Sequence, residues 1–185
     1  MKSDIRRDSS ATSKIKVAIN GYGVIGRRVA DAVALQEDME ITGIADIVSD
    51  YRVRRAQAHG YPIYAALDEK ADEMREAGID VRGTLDDLFK EAEIIVDCTP
   101  KGIDAKNKPR YEAAGIKFIY QGGAKHELTG HSFVSSANYE TTIGRNSTRV
   151  VSCNTTATVR TLNSLRNAGL LKRARGVLKI GRAHV

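Results

Sequence analysis

Residues 16–36 read KVAINGYGVIGRRVADAVALQ, and the order of three local signals inside that stretch decides the fold. Lys16 to Asn20 (KVAIN) is a short apolar run of the kind that forms a buried strand. GYGVIG follows at once. In RRVADAVALQ and the residues just before it, Ile25, Val29, Ala32 and Val33 recur at helical spacing. Gly21, Gly23 and Gly26 therefore place G-x-G-x-x-G directly between a strand and a helix. In that context the first glycine allows the tight turn, the second lets backbone approach a pyrophosphate, and the third lets helix and strand pack closely.

The next strand, Glu40 to Ala45 (EITGIA), is closed by Asp46, twenty residues after Gly26. A carboxylate there accepts hydrogen bonds from the ribose hydroxyls of NAD and repels the extra phosphate of NADP. NAD is the expected cofactor, with NADP possible. The other reading of Asp46 is a strand-end turn or a helix cap near Ser49.

From Ile15 onward short apolar runs alternate with helical stretches, without an internal repeat. Helices are expected over 49–59, 67–77, 85–91 and 106–114, and extended segments over 61–65, 93–98, 117–120 and 132–135. Thr84 followed by Asp87 fits a capping pattern at the start of the 85–91 helix. The fold class is α/β, a Rossmann-type doubly wound parallel sheet, with only the beginning of an α+β catalytic domain after it.

Composition narrows the function classes. The chain has 185 residues, is 42% hydrophobic and carries a net charge of +6. No Asp or Glu follows Glu140, so the first 140 residues hold 20 basic and 23 acidic side chains, a balance of −3. The positive charge is a C-terminal stretch rather than a basic face, which argues against a nucleic-acid binder. Cys98 and Cys153 are too few and too far apart for a disulfide framework or a zinc site, so no metal is expected. The first fourteen residues lack a signal-peptide core, and no apolar run reaches membrane-spanning length. A cytoplasmic protein is expected.

VVSCNTTAT, residues 150–158, carries the second chemical signal. Val159, Leu162, Leu165 and Leu170 follow at near-helical spacing, so Cys153 falls at or just before a helix N-terminus. Unpaired N–H groups and the helix dipole there favour a thiolate, which attacks carbonyl carbon. Ser152, Asn154 and Thr155 surround it with small polar groups able to donate to an oxyanion or a substrate phosphate. Cys98, ending an apolar strand, reads as structural. No base is evident: His59, His126, His131 and His184 all read as exposed loop or tail histidines.

INGYGVIGRRVADAV, VDCTPKG, AKNKPRYEAAGIKFIYQGG and above all VVSCNTTATVRTLN together resemble the archaeal-type (type II) phosphorylating glyceraldehyde-3-phosphate dehydrogenases, from about Lys14 to Leu178. The resemblance implies a homotetrameric enzyme that oxidises glyceraldehyde 3-phosphate with NAD(P) and inorganic phosphate to 1,3-bisphosphoglycerate. It aligns Cys153 with the nucleophile, Ser152 and Asn154 with substrate-binding neighbours, and Val24, Ile25, Gly122 and Gly123 with cofactor contacts. Ala45-Asp46 stands where many members carry Thr-Lys, in accord with NAD, and Ala157 stands where glycine is usual. The family's catalytic histidine, in a His-His-Gly segment, has no counterpart in the 185 residues.

The resemblance ends at Leu178, and Ile-Gly-Arg-Ala-His-Val, reverse-translated, matches a common sequencing-adapter oligonucleotide. The expected organisation is a polar extension over 1–14, a dinucleotide-binding domain over 15–151, the nucleophile helix and first strand of a catalytic domain over 152–178, and a non-native tail over 179–185. A chain so truncated is expected to be C-terminally truncated before its base, inactive, and frayed or aggregation-prone beyond about Asn167. Two other readings are a non-catalytic dinucleotide-binding module and another thiol-dependent aldehyde dehydrogenase.

Overall fold

Ala18 and Ile19, in the first apolar run, lose all contact with solvent, and Val17 nearly all. Full burial of a side chain the size of isoleucine contributes about 1.5–3 kcal/mol, which is why this run seeds the sheet. The computed structural model describes residues 13–121 and 123–179. Two compact units divide the chain between Cys98 and Thr99, inside the single domain expected over 15–151.

In the first unit the elements run β1 (Ile15–Asn20), α1 (Val24–Ala34), β2 (Met39–Asp46), α2 (Tyr51–Ala58), β3 (Ile63–Ala65), α3 (Ala71–Glu76), β4 (Val81–Thr84), α4 (Leu85–Glu91) and β5 (Ile94–Asp97). The strands pair in parallel in the order β4-β3-β2-β1-β5. The chain thus walks outward from β1 to β4 and returns to β1's other side with β5. That reversal makes the carboxyl ends of β1 and β5 a topological switch point, where open α/β sheets bind ligands. Ile19, Ile44, Val53, Ile63 and Met74 form the core between sheet and helices.

Local chemistry sets the helix limits. Asp50 rather than Ser49 caps α2, accepting from the Arg52 N–H at 2.9 Å. Asp87 reaches back to the Thr84 N–H at 3.0 Å, as the capping pattern requires. Its carboxyl is lowered to about 2 by the Lys90 hydrogen bond first and the Thr84 backbone next. The expected 67–77 helix is a 3₁₀ turn over Asp68–Lys70 followed by α3. β4 was not anticipated, because VRGT carries one apolar residue and no apolar run.

The second unit contains α5 (Ile103–Ala114), β6 (Lys117–Tyr120), β7 (Ser132–Phe133), α6 (Ser135–Asn138), β8 (Ser147–Val150) and α7 (Cys153–Asn167). β8 lies between β6 and β7 and pairs with both in parallel. Tyr111, Phe118 and Tyr120 pack with ring centroids 5.2–6.4 Å apart, and the Tyr120 hydroxyl donates to the Asp104 carbonyl at 3.0 Å. α5 begins three residues earlier than expected, since the Asp104 carboxylate accepts from the Gly102 and Ala105 N–H groups and so starts the helix.

Two expectations are corrected here. The 132–135 strand stops at Phe133, because the Asn138 side chain accepts from the Val134 N–H at 2.9 Å and donates to the Ser132 carbonyl at 2.8 Å, replacing a ladder with a helix start. Among the described residues no strand follows α7: residues 170–179 lie in neither helix nor strand, and none of the described strands pairs with them. All but the first residue of the expected 179–185 tail and most of the 1–14 extension lie outside the described residues.

His131 is also buried, 7% exposed, rather than an exposed loop residue. Its Nδ1 meets Thr148 Oγ1 at 2.7 Å and its Nε2 meets Thr141 Oγ1 at 3.0 Å. Thr141 already donates its proton to the Asn138 carbonyl, so it accepts from Nε2–H, and Thr148 donates to Nδ1. A neutral ring satisfies both threonines in this arrangement. Burial first, then Arg145 and His126, holds the imidazole below its ordinary value of 6.5. The unfolded chain therefore binds a proton near pH 6 that the folded chain refuses, and stability present above 6.5 is lost as pH falls below it. Urea midpoints are expected to drop between pH 7 and pH 5.5, and His131→Gln to lessen that drop; equal slopes for the two proteins would contradict this assignment.

Candidate functional site

The glycine turn leaves β1 at the carboxyl edge of the first unit's sheet, and each glycine has a separate steric reason. Gly21 has φ of +92°, a left-handed conformation that side chains disfavour. A Cβ on Gly26 would collide with the Gly21 carbonyl oxygen. A Cβ on Gly23 would meet nothing within 4 Å, so the backbone there is open to an approaching ligand. No side chain caps α1, and its first turn holds no acid. Val24 and Ile25 in that turn are 60% and 46% exposed. An uncapped helix start behind an open glycine fits the pyrophosphate of a dinucleotide, which accepts from such N–H groups.

Asp46 joins this site across the sheet. Its Oδ2 accepts from the Tyr22 N–H and its Oδ1 from the Ile47 N–H, each at 2.7 Å. The Gly21 N–H donates to the Ala45 carbonyl at 2.7 Å. The end of β2 therefore holds the glycine turn in place. This positioning duty of Asp46 was missed, because nothing in the spacing signals which N–H a carboxylate will meet. Each carboxylate oxygen keeps further lone-pair capacity for a ribose hydroxyl.

In the second unit Cys153 is the first residue of α7, and it is exposed. Ser152 is the cap: its Oγ accepts from the Thr155 N–H at 3.2 Å and lies 2.9 Å from Thr155 Oγ1. Two of the residues expected to bind substrate are thus joined to each other beside the thiol. The Asn154 carbonyl accepts from the Thr158 hydroxyl at 2.9 Å, and its side chain is half-buried. Cys153 has no hydrogen-bond partner among the described residues, so no base is placed against it. Cys98, by contrast, packs on the core of its unit, where burial and then Asp97 push its thiol up to about 12. Gly123 has φ of +86° with open space where a Cβ would stand, whereas Gly122 and His184 lie outside the described residues.

The described residues hold no group of three or more metal-ligating side chains. None of their helices is long and apolar enough to cross a membrane.

No protein-family model matches the chain. Among curated proteins, glyceraldehyde-3-phosphate dehydrogenase of Methanothermus fervidus is 50% identical over 162 residues, 88% of this chain and 48% of that protein. The Pyrococcus furiosus protein of the same name is 52% identical over 154 residues, 83% of this chain and 46% of its own length. By sequence the chain is similar to these archaeal dehydrogenases over most of its own length. It spans about half the length of these dehydrogenase relatives. Among solved structures, apo scyllo-inositol dehydrogenase from Lactobacillus casei superposes with a TM-score of 0.52 at 14% identity, over 85% of this chain and 42% of that one. That likeness supports the α/β Rossmann fold alone.

Proposed function

We propose that the chain is the cofactor-binding part, with the nucleophile, of a phosphorylating glyceraldehyde-3-phosphate dehydrogenase. The observation that carries this is an exposed cysteine at the first position of a 15-residue helix, in a chain half-identical to dehydrogenases of that name. Gly21, Gly23 and Gly26, with the N–H groups of Val24 and Ile25, hold the pyrophosphate of NAD, and the Gly122-Gly123 pair adds a further contact. Asp46 takes the ribose and disfavours NADP. A bound nicotinamide supplies the hydride acceptor.

The Cys153 thiolate adds to the aldehyde carbon of glyceraldehyde 3-phosphate: a C–S bond forms, and the carbonyl electron pair moves to oxygen and takes a proton. Oxidation of that hemithioacetal leaves a thioester on Cys153. An oxygen of inorganic phosphate then attacks the thioester carbon, the C–S bond breaks, and 1,3-bisphosphoglycerate leaves with the thiolate restored. Ser152, Asn154 and Thr155 hold substrate oxygens. The working form is a cytoplasmic homotetramer whose base is a histidine in residues beyond this chain, and residues 152–178 begin its catalytic domain.

The gene carried past the codon for Leu178 to its native stop tests this reading. NADH formation from glyceraldehyde 3-phosphate is expected to need inorganic phosphate and to yield an acyl phosphate. A free acid formed at the same rate without phosphate would favour a different thiol-dependent aldehyde dehydrogenase. NAD binding without any turnover would favour a non-catalytic module.

A further inference from the structure

Between α1 and α2 of the first unit lies a groove of about 260 Å³ lined by Tyr22, Arg27, Arg28, Asp31, Arg55 and His59, with Val24 at its margin. Three guanidinium groups and an imidazole face a space that holds one carboxylate. Neighbouring cations on α2 are engaged: Arg52 pairs with Asp50 at 2.6 Å, and Arg54 donates to the Ala77 carbonyl at 2.5 Å. Arg28 and Arg55 have no side-chain partner among the described residues, and Asp31 bridges to neither. Arg27 is steered by its Nε, which donates to the Gly23 carbonyl at 3.4 Å and leaves its terminal nitrogens for other acceptors. His59 donates Nδ1–H to the Arg55 carbonyl at 2.7 Å and stacks on Tyr61, which orients its ring and leaves Nε2 available.

Tyr22 is the second, independent observation. It is only 3% exposed, its ring packs in the core with Ala30, Val53 and Ala56, and yet it lines the groove. Its hydroxyl has no hydrogen-bond partner among the described residues. The hydroxyl is not buried without a partner, so the small exposure left to this residue opens it to the groove, where it can donate to a ligand oxygen. Burial, with Tyr61 and Asp31, also raises its ionisation above the ordinary value, so the phenol stays a donor.

We propose that this groove binds a phosphate-bearing anion, a phosphate monoester or diphosphate, held by the side chains of Arg27, Arg28, Arg55 and Tyr22. Several guanidinium forks around one space match the many oxygens of a phosphate, and phosphate relieves the repulsion among them. The volume lies below that of ordinary whole-ligand pockets, which suits a phosphate group better than a complete dinucleotide. The site differs in kind from the glycine turn, where backbone N–H groups do the binding.

Calorimetric titration of the 185-residue chain with inorganic pyrophosphate, at physiological ionic strength and with saturating NAD, is the test. One saturable site is expected. Arg28→Ala/Arg55→Ala should weaken it at least about tenfold, the effect of losing one charge-assisted hydrogen bond. Tyr22→Phe, which removes only the hydroxyl, should weaken it several-fold with the melting curve retained. NAD affinity, titrated separately, should be the same in all three proteins, so failure of the cofactor reading is seen apart from failure of this one. Absence of saturable pyrophosphate binding overturns the proposal. So does binding unaffected by the substitutions, and so does binding seen only when NAD is left out, which would place pyrophosphate on the glycine turn. Binding of an acidic peptide or RNA oligonucleotide without binding of pyrophosphate overturns it as well.

Discussion

Gly26→Ala is expected to destabilise the first unit by about 3 kcal/mol or more, the upper end of what overpacking costs. The added Cβ has no room: it meets the Gly21 carbonyl oxygen, lies 3.0 Å from the Gly21 carbonyl carbon and 3.4 Å from Ile19 Cγ2. Two of those atoms are backbone in a turn held to β2 by the Gly21 N–H and by Asp46, so they cannot step aside cheaply. In a domain of this size the loss corresponds to a fall of about 12 °C or more in melting temperature. Gly23→Ala separates stability from binding. Its Cβ meets no protein atom and its φ of −72° suits alanine, so a cost below about 1 kcal/mol is expected. That same Cβ occupies the space through which a pyrophosphate approaches, and NADH affinity measured by fluorescence should fall at least about tenfold. Equal melting temperatures for the two variants would refute the assigned roles. Unchanged NADH affinity in Gly23→Ala would show that the dinucleotide does not use this turn.

Cys153→Ser should have the opposite profile. The thiol is exposed and makes no hydrogen bond among the described residues, so stability should change by less than about 0.5 kcal/mol. In the protein expressed through its native stop codon, the proposed phosphate-dependent dehydrogenase activity should fall by about 10⁴-fold or more, because a serine hydroxyl at neutral pH replaces the proposed nucleophile. Cys98→Ser acts as the control. It alters a thiol packed on the core, and it should cost stability while leaving the rate per folded molecule unchanged. Activity that survives Cys153→Ser would assign the chemistry to another group.

The signals that act over a few residues were legible before any coordinates. The glycine spacing placed the turn between β1 and α1, Thr84 and Asp87 marked the start of α4, and the apolar run over 117–120 gave β6 its limits. The small polar residues around Cys153 likewise marked the N-terminus of α7. Turn conformation, end-capping and periodicity are local, so residue type and spacing carry them.

Other features depended on what the chain brings together from a distance. β4 and β8 read VRGT and STRV, too polar to announce a strand, and they form because neighbouring strands offer backbone partners. Asp46 meets the Tyr22 N–H across 24 residues of sequence, His131 meets Thr148 across 17, and Arg28 and Arg55 face one groove from two helices. The sequence by itself determined the Rossmann-type order of elements, the glycine turn and the thiol at a helix start. Only the tertiary structure decided which carboxylate pins the turn, which histidine is buried and which arginines converge, because hydrogen bonding and burial depend on distance in space, which spacing along the chain does not encode.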